Sequence, residues 1–287
     1  MFNNLKALFL LVLLSGILLL IGGAVDGQSG LIIALIFALA MNIGSYWFSD
    51  KLALAASGAR QVTPDQEPRL HHIVEEVCAM SGMPKPKVYI IQNDSPNAFA
   101  TGRNSKHAAV AATTGIMRIL DDRELRAVFG HEIGHIQNHD ILVNAVVGTV
   151  ASAIMFLAMI GRWSLFFGLG GRNRDNGLLG IVAIIAMIIL APIAATIIRL
   201  AVSRQREYGA DTTGAHIVHD PMALASALDK LQATTRVRPM QVSPAISHMF
   251  IVNPLGKVDF ASLFSTHPPT EKRIARLEQI ARQTGNL

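Results

Sequence analysis

Two histidines and a glutamate fall within five residues in His131-Glu132-Ile133-Gly134-His135. On a helix, residues four apart share a face, so His131 and His135 can present two imidazoles to one metal ion. Glu132 stands beside that face, where it can take a proton from a water polarised by the metal. A catalytic zinc takes three protein ligands and keeps one position open. The downstream segment Ser203–Asp211 (SRQREYGAD) offers the third ligand. Glu207 can complete a His2Glu set. Asp211, one turn further on the same face, can accept the outer N–H of a ligating histidine and fix its tautomer. A structural zinc favours four ligands, usually with cysteine, but the chain has a single cysteine, Cys78, and such a site has no use for Glu132. The pattern points to metal-assisted hydrolysis with one Zn2+ per chain.

Further polar groups surround this constellation. His139 continues the spacing of His135, but a fourth protein ligand would close the site, so it reads as a flanking polar residue. His267, in Thr266-His267-Pro268-Pro269, sits where prolines begin a helix. It is a candidate to line the site near a developing oxyanion. Asn97–Gly102 (NAFATG) reads as an edge strand. Through Asn97, Ala98, Phe99, Ala100 and Thr101 it could pair with an extended substrate, reading backbone more than side chains. That mode favours unfolded or flexible segments of broad sequence.

These residues need elements to hold them. The metal-binding pattern lies in a helix expected over Asp122–Asp140. Asp121 and Glu124 form a capping-box pattern at its start, and Leu125, Val128 and Phe129 supply an apolar stripe. Gly134 inside that helix should cost about 1 kcal/mol relative to alanine, which the close approach of another backbone would account for. Upstream, the pattern predicts a helix over Pro64–Met80 and a strand at Lys87–Gln92. Strands at Asn97–Gly102 and His107–Thr113 follow, around a turn at Arg103–Lys106. Downstream, helices are expected at Ser203–His219, Pro221–Thr234 and Pro268–Thr284.

The composition places this machinery beside a membrane. Of 287 residues, 51% are hydrophobic and only 16% charged, with a mean hydropathy of +0.39, against about 25% charged in ordinary soluble domains. Four runs, Ala7–Val25, Leu31–Ser49, Ile141–Gly161 and Asn176–Ile198, are free of the charges that would bar them from lipid. Each reaches the ~18–20 residues of a spanning helix. No small-x-small cleavage pattern follows the first, so it is expected to remain as a helix, paired with the second in a tight hairpin joined by Asp26–Gly30. Four spans divide the chain into a hairpin at 1–50, a first catalytic portion at 51–140, a second hairpin at 141–198 and a second catalytic portion at 199–287. Near the membrane, eight lysines and arginines flank the catalytic portions, against Arg162, Arg172 and Arg174 on the other side. The positive-inside bias therefore faces the catalytic portions to the cytoplasm. Those three arginines, with Asn144 and Pro192 inside the later runs, also fit a topology of two spans and an interior helical pair. The even number of crossings lets His135 and Glu207 meet on one side. The formal charge of +5 follows from basic residues beside apolar runs, with no aromatic interleaving of the kind that binds nucleic acid.

The HEIGH helix, REYGAD, NAFATG, the THPP turn and the apolar runs, in this order over nearly the full chain, resemble the HtpX family of heat-shock membrane metalloproteases, related to the CAAX prenyl protease. The resemblance implies an α+β, mainly helical, gluzincin-like metalloprotease domain with four transmembrane helices. It also implies a prokaryotic plasma (inner) membrane location and quality control of misfolded membrane proteins. By that pattern His131, His135 and Glu207 correspond to zinc ligands, Glu132 to the catalytic glutamate, Asp211 to the aspartate behind a ligand, and NAFATG to the strand lining the cleft. The expected partners are unfolded or flexible polypeptides, membrane proteins among them, and the bilayer. Two other readings stand beside this one. A dedicated processing protease would cut one defined site, and a membrane scaffold would bind metal without turnover.

Overall fold

The computed structural model describes residues 2–144, 146–147, 204–242, 244–254 and 268–285. The third apolar run, apart from its first few residues, and the whole of the fourth lie outside these, as do Arg162, Arg172, Arg174 and His267.

The described chain is mainly helical around one small sheet. In order it forms α1 (Phe2–Ala56), β1 (Arg60–Gln61), α2 (Pro68–Ser81), β2 (Lys87–Ile91), β3 (Ala98–Gly102), β4 (Ala108–Thr113), α3 (Thr114–Ile119) and α4 (Asp122–Gln137). Then come α5 (Arg204–Val218), α6 (Pro221–Val237), α7 (Pro244–Ser247) and α8 (Thr270–Thr284). The sheet order is β1-β2-β4-β3, with β2 and β4 parallel and the other pairs antiparallel. Period-two alternation sends Ala108, Val110 and Ala112 into a core built with α2, α4, α6 and α8. Ala109 and Ala111 go to a second cluster with Ala53 and Leu54 of α1, Met240 and Phe250. Both faces of β4 are therefore covered, which is why its residues are small and apolar.

Although α1 is helical from Phe2 to Ala56, it folds back on itself. The Asn42 side-chain amide donates to Ser15 Oγ at 2.9 Å across 27 residues, which a straight helix would hold ~40 Å apart. Gly27, at φ 50°, marks the reversal, so the hairpin turns within the expected Asp26–Gly30. Along the second arm, Gly27–Gly44 is long and apolar enough to cross a membrane, and only 11% of it is buried against the protein.

Most boundaries shift by one to three residues, α6 running on to Val237 where Thr234 was expected, and two shifts have a plain local cause. α2 starts at Pro68 instead of Pro64, because Thr63–Gln66 close a turn of their own through the Gln66 side chain and Pro68 suits the first helical position. α4 ends at Gln137 instead of Asp140. His139 adopts φ 59°, and the chain turns so that the Asp140 N–H donates to the His135 carbonyl at 2.9 Å. The short helix α3 was not anticipated. Thr113 caps it, its side chain accepting from the Ile116 N–H.

Candidate metal centre

The centre sits where α4 crosses α5. The expected capping box is present: Asp121 accepts from the Glu124 N–H at 2.8 Å, and Glu124 accepts from the Asp121 N–H at 3.1 Å. The buried Glu124 also takes a bond from Ser226 at 2.7 Å and an ion pair from Lys230 at 2.6 Å, fastening the start of α4 to α6. The crossing itself is made close by glycines. A Cβ on Gly134 would lie 3.1 Å from the Ala210 carbonyl oxygen. One on Gly214 would lie 2.6 Å from the His131 nitrogen and 2.8 Å from the Gly130 carbonyl carbon. The cost of Gly134 in a helix is thus offset by the backbone approach it permits.

This approach brings His131, His135 and Glu207 together, with potential ligand atoms all within 4.8 Å of one another and all three side chains buried. His131 Nε2 stands 3.8 Å from Glu207 Oε2, and His135 Nε2 stands 3.5 Å from Glu207 Oε1. Those separations are too long for hydrogen bonds. They are close to the ~3.4 Å between donors of a tetrahedral ion with bonds of ~2.1 Å. Each histidine is held from behind. Asp211 accepts from His131 Nδ1 at 2.9 Å, and Asp140 accepts from His135 Nδ1 at 3.0 Å. Both contacts fix the ring orientations and turn the Nε2 atoms toward Glu207, as a carboxylate behind a ligating histidine does. Two imidazoles and a carboxylate, so oriented, are the donor set a catalytic zinc takes.

Two residues of this centre escaped the sequence reading. A helix running on to Asp140 would carry that side chain away from His135; the turn at His139 brings it back. Arg273, 1% exposed, forks onto Asp211 with Nε–Oδ2 at 2.9 Å and Nη2–Oδ1 at 2.7 Å, and its Nη1 donates to the Ile251 carbonyl at 2.8 Å. A signal for it existed: Arg273 falls in register with the apolar stripe of α8, four residues before Leu277 and seven before Ile280, where a cation needs a buried partner.

The electrostatics follow from burial and these partners. Burial holds the His131 imidazole down at about 4, with His135 and Arg273 adding repulsion against the Asp211 hydrogen bond. On His135 burial also pulls downward, but Asp140, Glu207 and Glu132 outweigh it and raise the ring to about 9. Burial tends to raise Asp211 as well, yet Arg273 and His131 prevail and hold it at about 2. Glu132 is lifted by burial to about 7, although the Ala100 N–H donates to it.

The Ala100 contact puts β3 against the centre, at the open edge of the sheet. Part of that edge is occupied, since the Ile251 N–H donates to the Ala98 carbonyl at 3.0 Å. Asn97 is fully buried, and its amide bridges the backbone of Val252, donating at 2.9 Å and accepting at 3.4 Å. Phe99 points to the other face of the sheet, edge-to-face with Phe250 at 5.1 Å. Ala98 and Thr101 are buried too. Of the five residues expected to meet substrate, Ala100 touches the centre, through its N–H to Glu132.

The model of peptidase family M48 matches residues 64–281. The chain belongs to peptidase family M48. Its M48 relatives include proteins named Protease HtpX homolog. That of Pyrococcus furiosus is 53% identical over 277 residues, covering 96% of this chain and 95% of the relative. That of Persephonella marina is 48% identical over 289 residues, covering 99% and 100%. Among solved structures, the crystal structure of S. mikatae Ste24p has a similar fold, with a TM-score of 0.50 and 18% identity, over 96% of this chain and 65% of that one. As an M48 member the chain is a metalloprotease.

Proposed function

We propose that this M48 protease is a membrane-embedded, zinc-dependent endopeptidase. Its substrates would be unfolded or flexible polypeptides, damaged membrane proteins among them, met on the cytoplasmic face of a prokaryotic plasma membrane. The observation that carries this reading is the convergence of two histidines, each held from behind by an aspartate, on one buried glutamate, with a second glutamate beside them. His131, His135 and Glu207 would hold one zinc ion per chain. Zinc in that place supplies Lewis acidity, making water more acidic and a carbonyl carbon more electrophilic.

The remaining steps belong to the chain. The Glu132 carboxylate takes a proton from the attacking water as the new C–O bond forms. It returns that proton to the amide nitrogen as the C–N bond breaks. Burial raises the Glu132 carboxyl above the usual carboxylate range, which strengthens it as a proton acceptor. The Ala100 N–H fixes the carboxylate, so the proton moves at a defined atom. Asp211 and Asp140 keep both histidine rings aimed. Membrane anchoring rests on Gly27–Gly44 and the apolar runs, and the cytoplasmic orientation on the distribution of lysine and arginine.

The test compares wild type with Glu132→Gln, purified in detergent, stripped by chelator and reloaded with zinc. Metal content and cleavage of unfolded casein are followed together. The reading expects about one zinc in each and cleavage by wild type alone. Equal cleavage by both would sink the role given to Glu132. Cleavage by neither, with zinc bound, would favour a processing enzyme with a single substrate.

A further inference from the structure

At the foot of the Gly27–Gly44 arm lies a cavity of about 380 Å³ between the end of α1, β2 and the β3–β4 turn. Its lining includes four cations, Lys51, Lys87, Arg103 and Lys106, against one carboxylate, Asp50. None of the four makes a salt bridge among the described residues. Arg103 stacks over the Trp47 ring at 4.5 Å and Lys51 lies over Phe48 at 5.4 Å. These contacts hold the charges in place and leave their N–H donors without an anion. Four cations against one carboxylate leave the cavity with a net positive charge, and a bound anion would relieve the repulsion among them.

The turn that delivers two of them is built rigidly. Gly102 adopts φ 142°, and a Cβ there would meet the His107 carbonyl oxygen at 2.3 Å. Asn104 then caps Ser105–His107, accepting from the His107 N–H at 3.0 Å, with the His107 ring Nδ1 at 2.9 Å from the same oxygen. The order along α1 is that of a membrane boundary: an apolar stretch to Gly44, then exposed Tyr46, Trp47 and Phe48, then Asp50 and Lys51. Aromatic residues followed by basic ones mark the headgroup level. A basic pocket at that depth matches the charge and position of a lipid phosphate.

We propose that this cavity binds the phosphate headgroup of an anionic phospholipid whose acyl chains lie along the Gly27–Gly44 arm. The inference rests on the membrane reading of that arm, which is tested separately by alkaline carbonate extraction of membranes holding the full chain. Release of the protein into solution would remove the basis of both. For the headgroup, the full chain in a neutral detergent is titrated with phosphatidylglycerol, phosphatidylcholine and inorganic phosphate, and bound species are read by native mass spectrometry.

The expected result is one retained phosphatidylglycerol per chain and no comparable retention of phosphatidylcholine. The double variant Lys51→Gln/Lys106→Gln should bind about 25-fold more weakly, or about fivefold per charge removed. Lys51→Arg/Lys106→Arg keeps the charges and should keep the lipid, so it decides the matter if the neutral variant misfolds. Arg238→Gln removes an exposed cation outside the cavity and should change nothing. Equal retention of phosphatidylcholine would overturn the proposal. So would an equal loss in Arg238→Gln, which would mean diffuse attraction. Binding of inorganic phosphate without the lipid would show a free-anion site and overturn it as well.

Discussion

The closest point of the centre's scaffold is also its most exposed to refutation. Gly214 and Gly209 lie on the same helix, α5, so alanine gains the same intrinsic helix propensity at each, about 1 kcal/mol. Their surroundings are opposite. Among the described residues the nearest atom to an added Cβ at Gly209 is Asn138 Nδ2 at 3.9 Å, an ordinary contact; at Gly214 it is the His131 backbone nitrogen at 2.6 Å. Backbone cannot rotate aside, so restoring a contact of ~3.4 Å requires α5 to retreat from α4 by about 0.8 Å. Metal sites tolerate ligand displacements of roughly 0.2 Å, and this retreat moves Glu207 relative to both histidines. Gly214→Ala should therefore lose about 1–2 kcal/mol net, overpacking of up to ~3 kcal/mol being partly offset by propensity. Its zinc affinity should fall by about 100-fold or more. Gly209→Ala should be as stable as wild type or up to about 1 kcal/mol more stable, with unchanged affinity. Denaturant unfolding in detergent and competition with a chromophoric zinc chelator measure the two quantities. Indistinguishable results for the two variants would refute the claim that backbone approach at Gly214 sets the geometry of the centre.

Other perturbations follow from the groups behind the ligands. Asp140→Ala should weaken zinc binding by about 10–100-fold with the fold intact, read by the same chelator competition and circular dichroism. Arg273→Met leaves the Asp211 carboxylate buried without its cation and should lower stability by about 3–5 kcal/mol. Adding Asp211→Asn should recover much of that loss, which a double-mutant cycle in denaturant would show. Burial pushes the Cys78 thiol up to about 11 and leaves it 4% exposed. At pH 8 about one thiol in a thousand is then ionised, against about one in ten at the ordinary value of 9.0. Iodoacetamide should modify the native protein at least about 100-fold more slowly than the denatured chain, the difference shrinking as pH rises toward 11.

What could be read from the residues was whatever repeats with the helical or strand period. His131, His135, Glu207 and Asp211 fall at spacings of four, and the strands alternate, so their elements and their shared faces were legible. The meeting of α4 with α5 was implied only by chemistry, since no local pattern brings together residues more than 60 apart. Asp140 was hidden because its role depends on a left-handed residue at His139, a position usually signalled by glycine or asparagine. Asn97 carries the opposite lesson. It lies in a segment that invites a substrate-facing reading, yet its amide is committed to the backbone of Val252, a partner 155 residues away.

Arg273 gives the centre an order of assembly. During synthesis the three ligand residues and the glutamate beside them are translated well before the arginine that neutralises Asp211. A nascent chain that has just exposed Glu207 holds every donor but lacks the counter-ion that keeps Asp211 ionised and His131 aimed. The centre is therefore completed only when α8 docks onto α6 and α5, which places the residue that holds Asp211 at a point 66 positions after Glu207 in the chain.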